Sequence, residues 1–104
     1  MIRVTFRVAG DTLRGFRITG HAGMGTAGED IVCAAVSSAA YMTANTVTDI
    51  IGATANITVD DGLMDLTVTS RVDACQDILA GFRMHMEAMQ TEYPKGVQLI
   101  NTEV

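Results

Sequence analysis

The stretch ITVDDGLMDLTV, residues 57–68, decides the fold. Apolar and polar residues alternate both before and after its central pair, Asp61-Gly62. An Asp-Gly pair between two alternating runs is a strong hairpin signal, because both positions of the tight turn need a positive φ. The stretch therefore predicts two antiparallel strands joined by a short turn.

A helix is predicted on either side of this hairpin. No proline or glycine interrupts Ile31–Ile51, and Gly52 follows as a C-terminal cap. After the hairpin, Asp73 is expected to cap a second helix that ends at Pro94. The apolar residues of this helix recur at helical spacing: Cys75, Ile78, Leu79, Phe82, Met86, Met89 and Tyr93. Gly81 costs a helix about 1 kcal/mol relative to alanine, so we expect it to permit a close contact.

Two further strands precede the first helix, and one follows the second. Apolar and polar residues alternate over Ile2–Val8. The next strand, Leu13–Thr19, changes phase at Gly15, which indicates a β-bulge. A short last strand is expected at Val97–Leu99. The order ββαββαβ predicts an α+β fold, a single two-layer domain over residues 1–104 with two helices packed on one face of a mainly antiparallel sheet.

Composition and charge limit the classes of partner. The chain has 104 residues and a formal net charge of -5, from 7 basic and 12 acidic residues. This balance disfavours nucleic acid and anionic membranes as partners, because both reward clusters of lysine and arginine, and it favours a basic protein. We find no secretory signal and no uninterrupted apolar stretch of transmembrane length, so we expect a cytoplasmic protein whose two cysteines are thiols.

The glycine-rich segment between the second strand and the first helix carries the candidate chemistry. Four of the ten glycines fall within Gly20–Gly28, which predicts a loop. Asp30 is expected to be the N-cap of the next helix, which places Cys33 in its first turn. There, unpaired backbone N–H groups and the helix dipole favour a thiolate and could also bind an oxyanion. Cys33 and His21 are therefore a candidate nucleophile and base.

Several of these residues also have purely structural interpretations. A lone cysteine in a helix is usually a small core residue, and Cys75 fits that description within the apolar stripe of the second helix. Asp30 either caps the helix or, in addition, orients His21. Ser37 lies one helical turn after Cys33 on the same face, where it either packs or supports the thiol.

No metal or cofactor is expected. The four possible soft ligands contain no close pair at zinc spacing: His21, Cys33, Cys75 and His85. Gly23 and Gly25 do not open a dinucleotide-binding motif.

The residues around Cys33 resemble those of the ribosomal-processing cysteine protease family, known as Prp. The match centres on Gly-His-Ala at 20–22 and on GEDIVCAAVS at 28–37, and it extends over the whole chain. The resemblance implies that Cys33 is the nucleophile and His21 the base. It also implies supporting or substrate-loop roles for the remaining motif residues: Gly20, Ala22, Gly28, Asp30 and Ser37.

The same resemblance implies a substrate and an assembly state. Family members remove a short apolar N-terminal extension from a large-subunit ribosomal protein, the twenty-seventh, during bacterial ribosome assembly, and they act as homodimers. The acidic chain suits a basic ribosomal partner. Two rival hypotheses remain open: a non-catalytic ribosome-assembly binding module in which Cys33 is only packed, and a thiol redox sensor.

Overall fold

The alternating runs form a five-stranded sheet. The structure, a computed structural model, describes residues 1–21 and 27–104, and of residues 27–30 it describes only the backbone. Its strands are β1 (Ile2–Ala9), β2 (Thr12–Thr19), β3 (Ala55–Asp60), β4 (Leu63–Val68) and β5 (Val97–Glu103). The helices are α1 (Ala27–Asn45) and α2 (Gln76–Glu92).

The strands lie in the order β3-β4-β2-β1-β5. All neighbours are antiparallel except β1 and β5, which are parallel from Ile2 opposite Val97 to Val8 opposite Glu103. The last strand is therefore longer than the predicted Val97–Leu99, because β1 offers it hydrogen-bonding partners over its full length. The ββαββαβ order and the α+β class are confirmed.

The core lies between one face of the sheet and the two helices. A cluster of three tilted phenylalanine rings, Phe6, Phe16 and Phe82, joins β1 and β2 to α2, with ring centroids 4.6–6.3 Å apart. On β4, every second side chain points into this core: Met64, Leu66 and Val68. Burial of these apolar side chains is the main favourable contribution to folding.

Gly15 lies at a β-bulge, as its position in the sequence predicts. The register of β1 and β2 shifts between Arg7, opposite Gly15, and Val8, opposite Leu13, so that Arg14 is the extra residue. A Cβ atom at Gly15 would overlap the carbonyl oxygen of Leu66 on β4. Only glycine lets the two strands approach this closely.

An ion pair ties three strands together on the opposite face of the sheet. The Arg7 guanidinium donates to both carboxylate oxygens of Asp65, at 2.6 and 3.0 Å, and also to the Thr67 hydroxyl at 2.7 Å. Arg17 approaches the same carboxylate at 3.2 Å. Burial opposes ionisation of Asp65, but the hydrogen bonds and charges of the two arginines outweigh it and hold the pKa of Asp65 below its usual value.

The helix starts differ from the predictions. Helix α1 begins at Ala27, so Asp30 lies inside the helix and is not its N-cap. Asp73 is not a side-chain cap either, since it begins a 3-10 turn, Asp73–Cys75, before α2. The expected close contact at Gly81 is also wrong, because that residue is exposed and a Cβ atom there would meet nothing within 4 Å.

Helix α1 continues into a wider π-helical turn, Thr46–Ile50. By length and composition alone, Ile31–Ile50 is apolar enough to cross a membrane, with a mean hydropathy of 1.2, although polar residues such as Ser37, Ser38 and Asp49 interrupt it. Val32, Val36 and Ala40 nevertheless pack in the core, and the core helix of a globular fold passes the same test.

Candidate active site

His21 follows β2 and is held through its backbone. The N–H group of Gly20 donates to the Gly62 carbonyl oxygen at 3.0 Å, and the Met1 nitrogen donates to the His21 carbonyl oxygen at 2.7 Å. Gly20 has a φ of 89°, and a Cβ atom there would lie 2.5 Å from the Met1 carbonyl oxygen. Only glycine fits at this position, so Gly20 fixes the point at which the histidine leaves the sheet.

Cys33 projects from α1, one turn deeper than predicted. Because the helix begins at Ala27, Cys33 is its seventh residue, about 9 Å along the axis from the start. The prediction that Cys33 lies in the first turn is therefore wrong. The helix dipole acts mainly within the first turn, so it favours the thiolate form of Cys33 less than predicted. Activation of this thiol therefore depends more on a neighbouring base.

Cys33 and His21 open on the same cavity. The cavity has a volume of about 160 Å³ and lies between α1 and one end of the sheet. Its helix side is formed by Cys33, Val36, Ser37, Ala40 and Tyr41. Its strand side is formed by Ile2, Ile18, Gly20, His21, Val59, Asp60, Gly62, Leu63 and Met64. A half-buried thiol and an exposed imidazole thus share a mostly apolar recess.

Cys75 is in a different environment. Its side chain is fully buried in the core, as predicted for a structural cysteine. Burial raises the pKa of the Cys75 thiol, although the positive charge of Arg71 works in the opposite direction. A thiol that is protonated and enclosed has little reactivity.

Not every predicted site residue can be located. Ser37 and Gly20 line the cavity together with Cys33 and His21. Ala22 lies outside the described residues, as does most of the predicted glycine-rich loop. Only helical backbone is described for Gly28 and Asp30, so the predicted orienting role of Asp30 stays untested.

Sequence reasoning predicts the turn between β3 and β4 but missed that its residues, Asp60 to Gly62, belong to the candidate site. Asp60 and Gly62 line the cavity, and the Asp61 carboxylate lies 3.9 Å from Nε2 of His21. The Asp-Gly pair predicts a hairpin turn, but no local signal indicates that this turn meets a histidine some forty residues earlier in the chain. The contact arises because β2 and β4 are paired, with Thr19 opposite Leu63.

The arrangement contains the groups that acyl transfer needs. A cysteine sulfur, an imidazole and a hydroxyl from Ser37 face one recess that a peptide could enter. Within the ranges 1–21 and 31–104, no group of three or more His, Cys, Asp or Glu side chains could hold a metal ion. Nucleophilic catalysis by the thiol is the chemistry that these residues support best.

Comparisons with known proteins agree with this chemistry. A crystal structure of SMU.848 from Streptococcus mutans is 27% identical, has a TM-score of 0.89, and covers 100% of this chain and 96% of that chain. The essential ribosomal processing protease Prp from S. aureus, in complex with a covalently linked product peptide, is 25% identical, with a TM-score of 0.88 and coverage of 98% and 100%. A structure of that protease with a substrate peptide, at 24% identity and a TM-score of 0.88, shares the fold.

No protein with a curated description matches the sequence. The family model described as cysteine protease Prp matches residues 1–98, which is nearly the whole chain. With the site geometry in place, this match shows that the chain belongs to the Prp family of cysteine proteases.

Proposed function

We propose that this chain is a cysteine endopeptidase in which Cys33 is the nucleophile and His21 the general base and acid. The observation that carries the proposal is the shared cavity, on which the half-buried thiol and the exposed imidazole both open. Membership of a cysteine protease family supports it independently. Cys75 is no competitor for the role, since its sulfur is sealed in the core.

The proposed reaction has two halves. His21 takes the thiol proton of Cys33, and the sulfur attacks the scissile carbonyl carbon to form a tetrahedral adduct. As the C–N bond breaks, the imidazolium gives its proton to the leaving amine, and an acyl-enzyme thioester remains. Water, deprotonated by His21, then attacks the thioester and releases the acid product and the thiol. The Ser37 hydroxyl lines the same recess and can donate a hydrogen bond to the oxyanion.

The proposed substrate is the short apolar N-terminal extension of the twenty-seventh large-subunit ribosomal protein. The name of the S. aureus relative, a ribosomal processing protease, supports this class of substrate. The recess suits apolar side chains, since its walls include Ile18, Val59 and Leu63. The net charge of -5 suits a basic ribosomal protein as the rest of the substrate.

We also propose that the enzyme acts in the cytoplasm as a homodimer. Ile57 and Val59 lie on the core-facing side of β3 but are 42% and 52% exposed. Exposed apolar side chains next to a folded core are suited to a partner surface, and a second copy is the partner that the family resemblance implies. A monomer mass in sedimentation equilibrium would contradict the dimer.

The function is tested by incubating the protein with the extended and the trimmed forms of that ribosomal protein. We expect a single cut that removes the extension from the first form and no cut in the second. Mass spectrometry of the products measures both outcomes. If the extended form binds and stays intact, the non-catalytic assembly module becomes the better hypothesis.

A further inference from the structure

The turn between β3 and β4 forms a seat for the His21 ring. Gly62 has a φ of 67°, and a Cβ atom added to it would lie 2.9 Å from Nε2 and 3.5 Å from Cε1 of His21. The imidazole therefore lies directly over the Gly62 backbone, in space that any side chain would occupy. The hydrogen bond from Gly20 to the Gly62 carbonyl oxygen holds the two segments together, one residue before the histidine.

The same turn brings a carboxylate to the ring. Oδ1 of Asp61 lies 3.9 Å from Nε2 of His21, and both side chains are largely exposed, at 95% and 62%. This distance is too long for a hydrogen bond, but rotation of the exposed Asp61 side chain can shorten it. Hydrogen bonds between catalytic groups are often long without substrate and tighten in the complex.

We propose that the turn positions the base, with Asp61 as the carboxylate that orients His21 and stabilises its protonated form. The inference deepens the proposed function and rests on it, because it assumes that His21 serves Cys33. With Nε2 against the turn, Nδ1 is the ring nitrogen left to exchange a proton with the thiol. Asp61 is thus a positioning residue, in the role of the third group that orients the base in nucleophilic enzymes.

Other titratable groups face His21, but none replaces Asp61. Within the described residues these are Asp60 on the same turn, Cys33 and Tyr41 on α1, and the Met1 nitrogen, which is bonded to the His21 carbonyl oxygen. Asp60 accepts a hydrogen bond from the Asp61 backbone N–H at 2.7 Å, so its carboxylate serves the turn. Asp61 is the acidic residue whose side chain can rotate toward the His21 ring.

A simpler explanation is that Asp61-Gly62 only builds the hairpin. Asn-Gly forms such a turn equally well, so Asp61→Asn removes the negative charge and keeps the turn. Asp11→Asn is the matched control, because it removes one exposed charge at the β1–β2 turn, which belongs to the other end of the sheet.

The first test measures cleavage of an extension peptide between pH 5 and pH 9, a range chosen around the ordinary titration of histidine. We expect Asp61→Asn to lower kcat about two- to fivefold with little change in KM, as for loss of one ion pair. The acid limb of its pH profile should move to lower pH, because without the carboxylate the ring that acts as the base is protonated less readily, and Asp61→Glu should recover part of the loss. Asp11→Asn should match the wild type. An Asp61→Asn protein with the wild-type kcat and pH profile would overturn the proposal.

The second test needs no substrate and separates this inference from the proposed function. The rate of Cys33 alkylation by iodoacetamide is followed against pH, with Cys75 as an internal comparison thiol. We expect the Cys33 rate near neutral pH to fall about two- to fivefold in Asp61→Asn. If the wild type cleaves no peptide but this difference is present, only the proposed function fails. Identical Cys33 alkylation curves in the two proteins would refute the positioning role.

Discussion

A cysteine stands near the start of each helix, and the two cysteines lie at opposite ends of the sheet. Cys33, on α1, is next to the end where β2 gives way to His21. Cys75 precedes α2 at the other end, where the Gln76 side chain bonds both the N–H and the carbonyl oxygen of Leu13. Each end also has one hairpin turn with a glycine of positive φ, Gly62 and Gly10 respectively.

The two ends of the sheet differ in the exposure of their cysteines and in the residues that contact their hairpin turns. Cys75 is fully buried, whereas Cys33 is half-buried on an open cavity. A Cβ atom at Gly10 would meet nothing within 4 Å, whereas one at Gly62 would strike the His21 ring. The two ends thus have similar local elements, but only one of them places a half-buried thiol and a histidine on an open recess.

The largest expected difference is between the cysteines themselves. Cys33→Ala should reduce cleavage of an extension peptide by more than about 10³-fold, because no other described thiol faces the cavity. Cys75→Ala should keep the activity and lose about 1 to 2 kcal/mol of unfolding free energy, since it leaves a small void in the core. Mass spectrometry of the products and urea unfolding measure the two effects. Equal cleavage by the wild type and both variants would remove the role assigned to Cys33.

A smaller effect should separate the two turns. Gly62→Ala and Gly10→Ala both force alanine into a left-handed conformation, at about 1 kcal/mol each. Only Gly62→Ala also displaces the His21 ring, so its kcat/KM should fall about ten- to hundredfold while that of Gly10→Ala stays unchanged. Thermal unfolding measures the backbone strain at the two alanines, and steady-state kinetics measure the effect of displacing the His21 ring. Equal kinetics in the two variants would mean that the turn does not seat the base.

The smallest expected effect concerns the sheet between the two ends. The arginines lower the pKa of Asp65 in the folded protein, so its ionised form contributes stability that is present above about pH 4 and is lost as the pH falls through the folded value. Wild-type stability should therefore drop more steeply below pH 4 than that of Asp65→Asn, and should exceed it by about 1 kcal/mol at pH 7. Urea unfolding at a series of pH values measures both. Parallel pH curves would show that the ion pair contributes nothing to folding.

Much of the fold follows from local signals. The hairpin at Asp61-Gly62, the bulge at Gly15 and the burial of Cys75 are all predicted from the sequence and confirmed. The start of α1 is not predicted correctly, because the four glycines within Gly20–Gly28 indicate a loop up to Gly28, whereas the helix begins at Ala27.

The candidate site is predicted only in part. Motif resemblance and position identify Cys33 and His21, and the structure brings both to one cavity. Asp61 could not be found this way, because its approach to His21 depends on the pairing of β2 with β4. Strand order is a long-range property, and alternation within one strand does not specify its neighbour.

The parallel pairing of β1 with β5 also bears on how the molecule is made. Ile2 and Val97 are paired across 95 residues, and contacts so distant in sequence slow folding, because a long loop must close first. Ile2 also lines the cavity. The wall of the recess that contains Ile2 therefore belongs to a strand whose second edge is completed last, since β5 is the final strand to be translated.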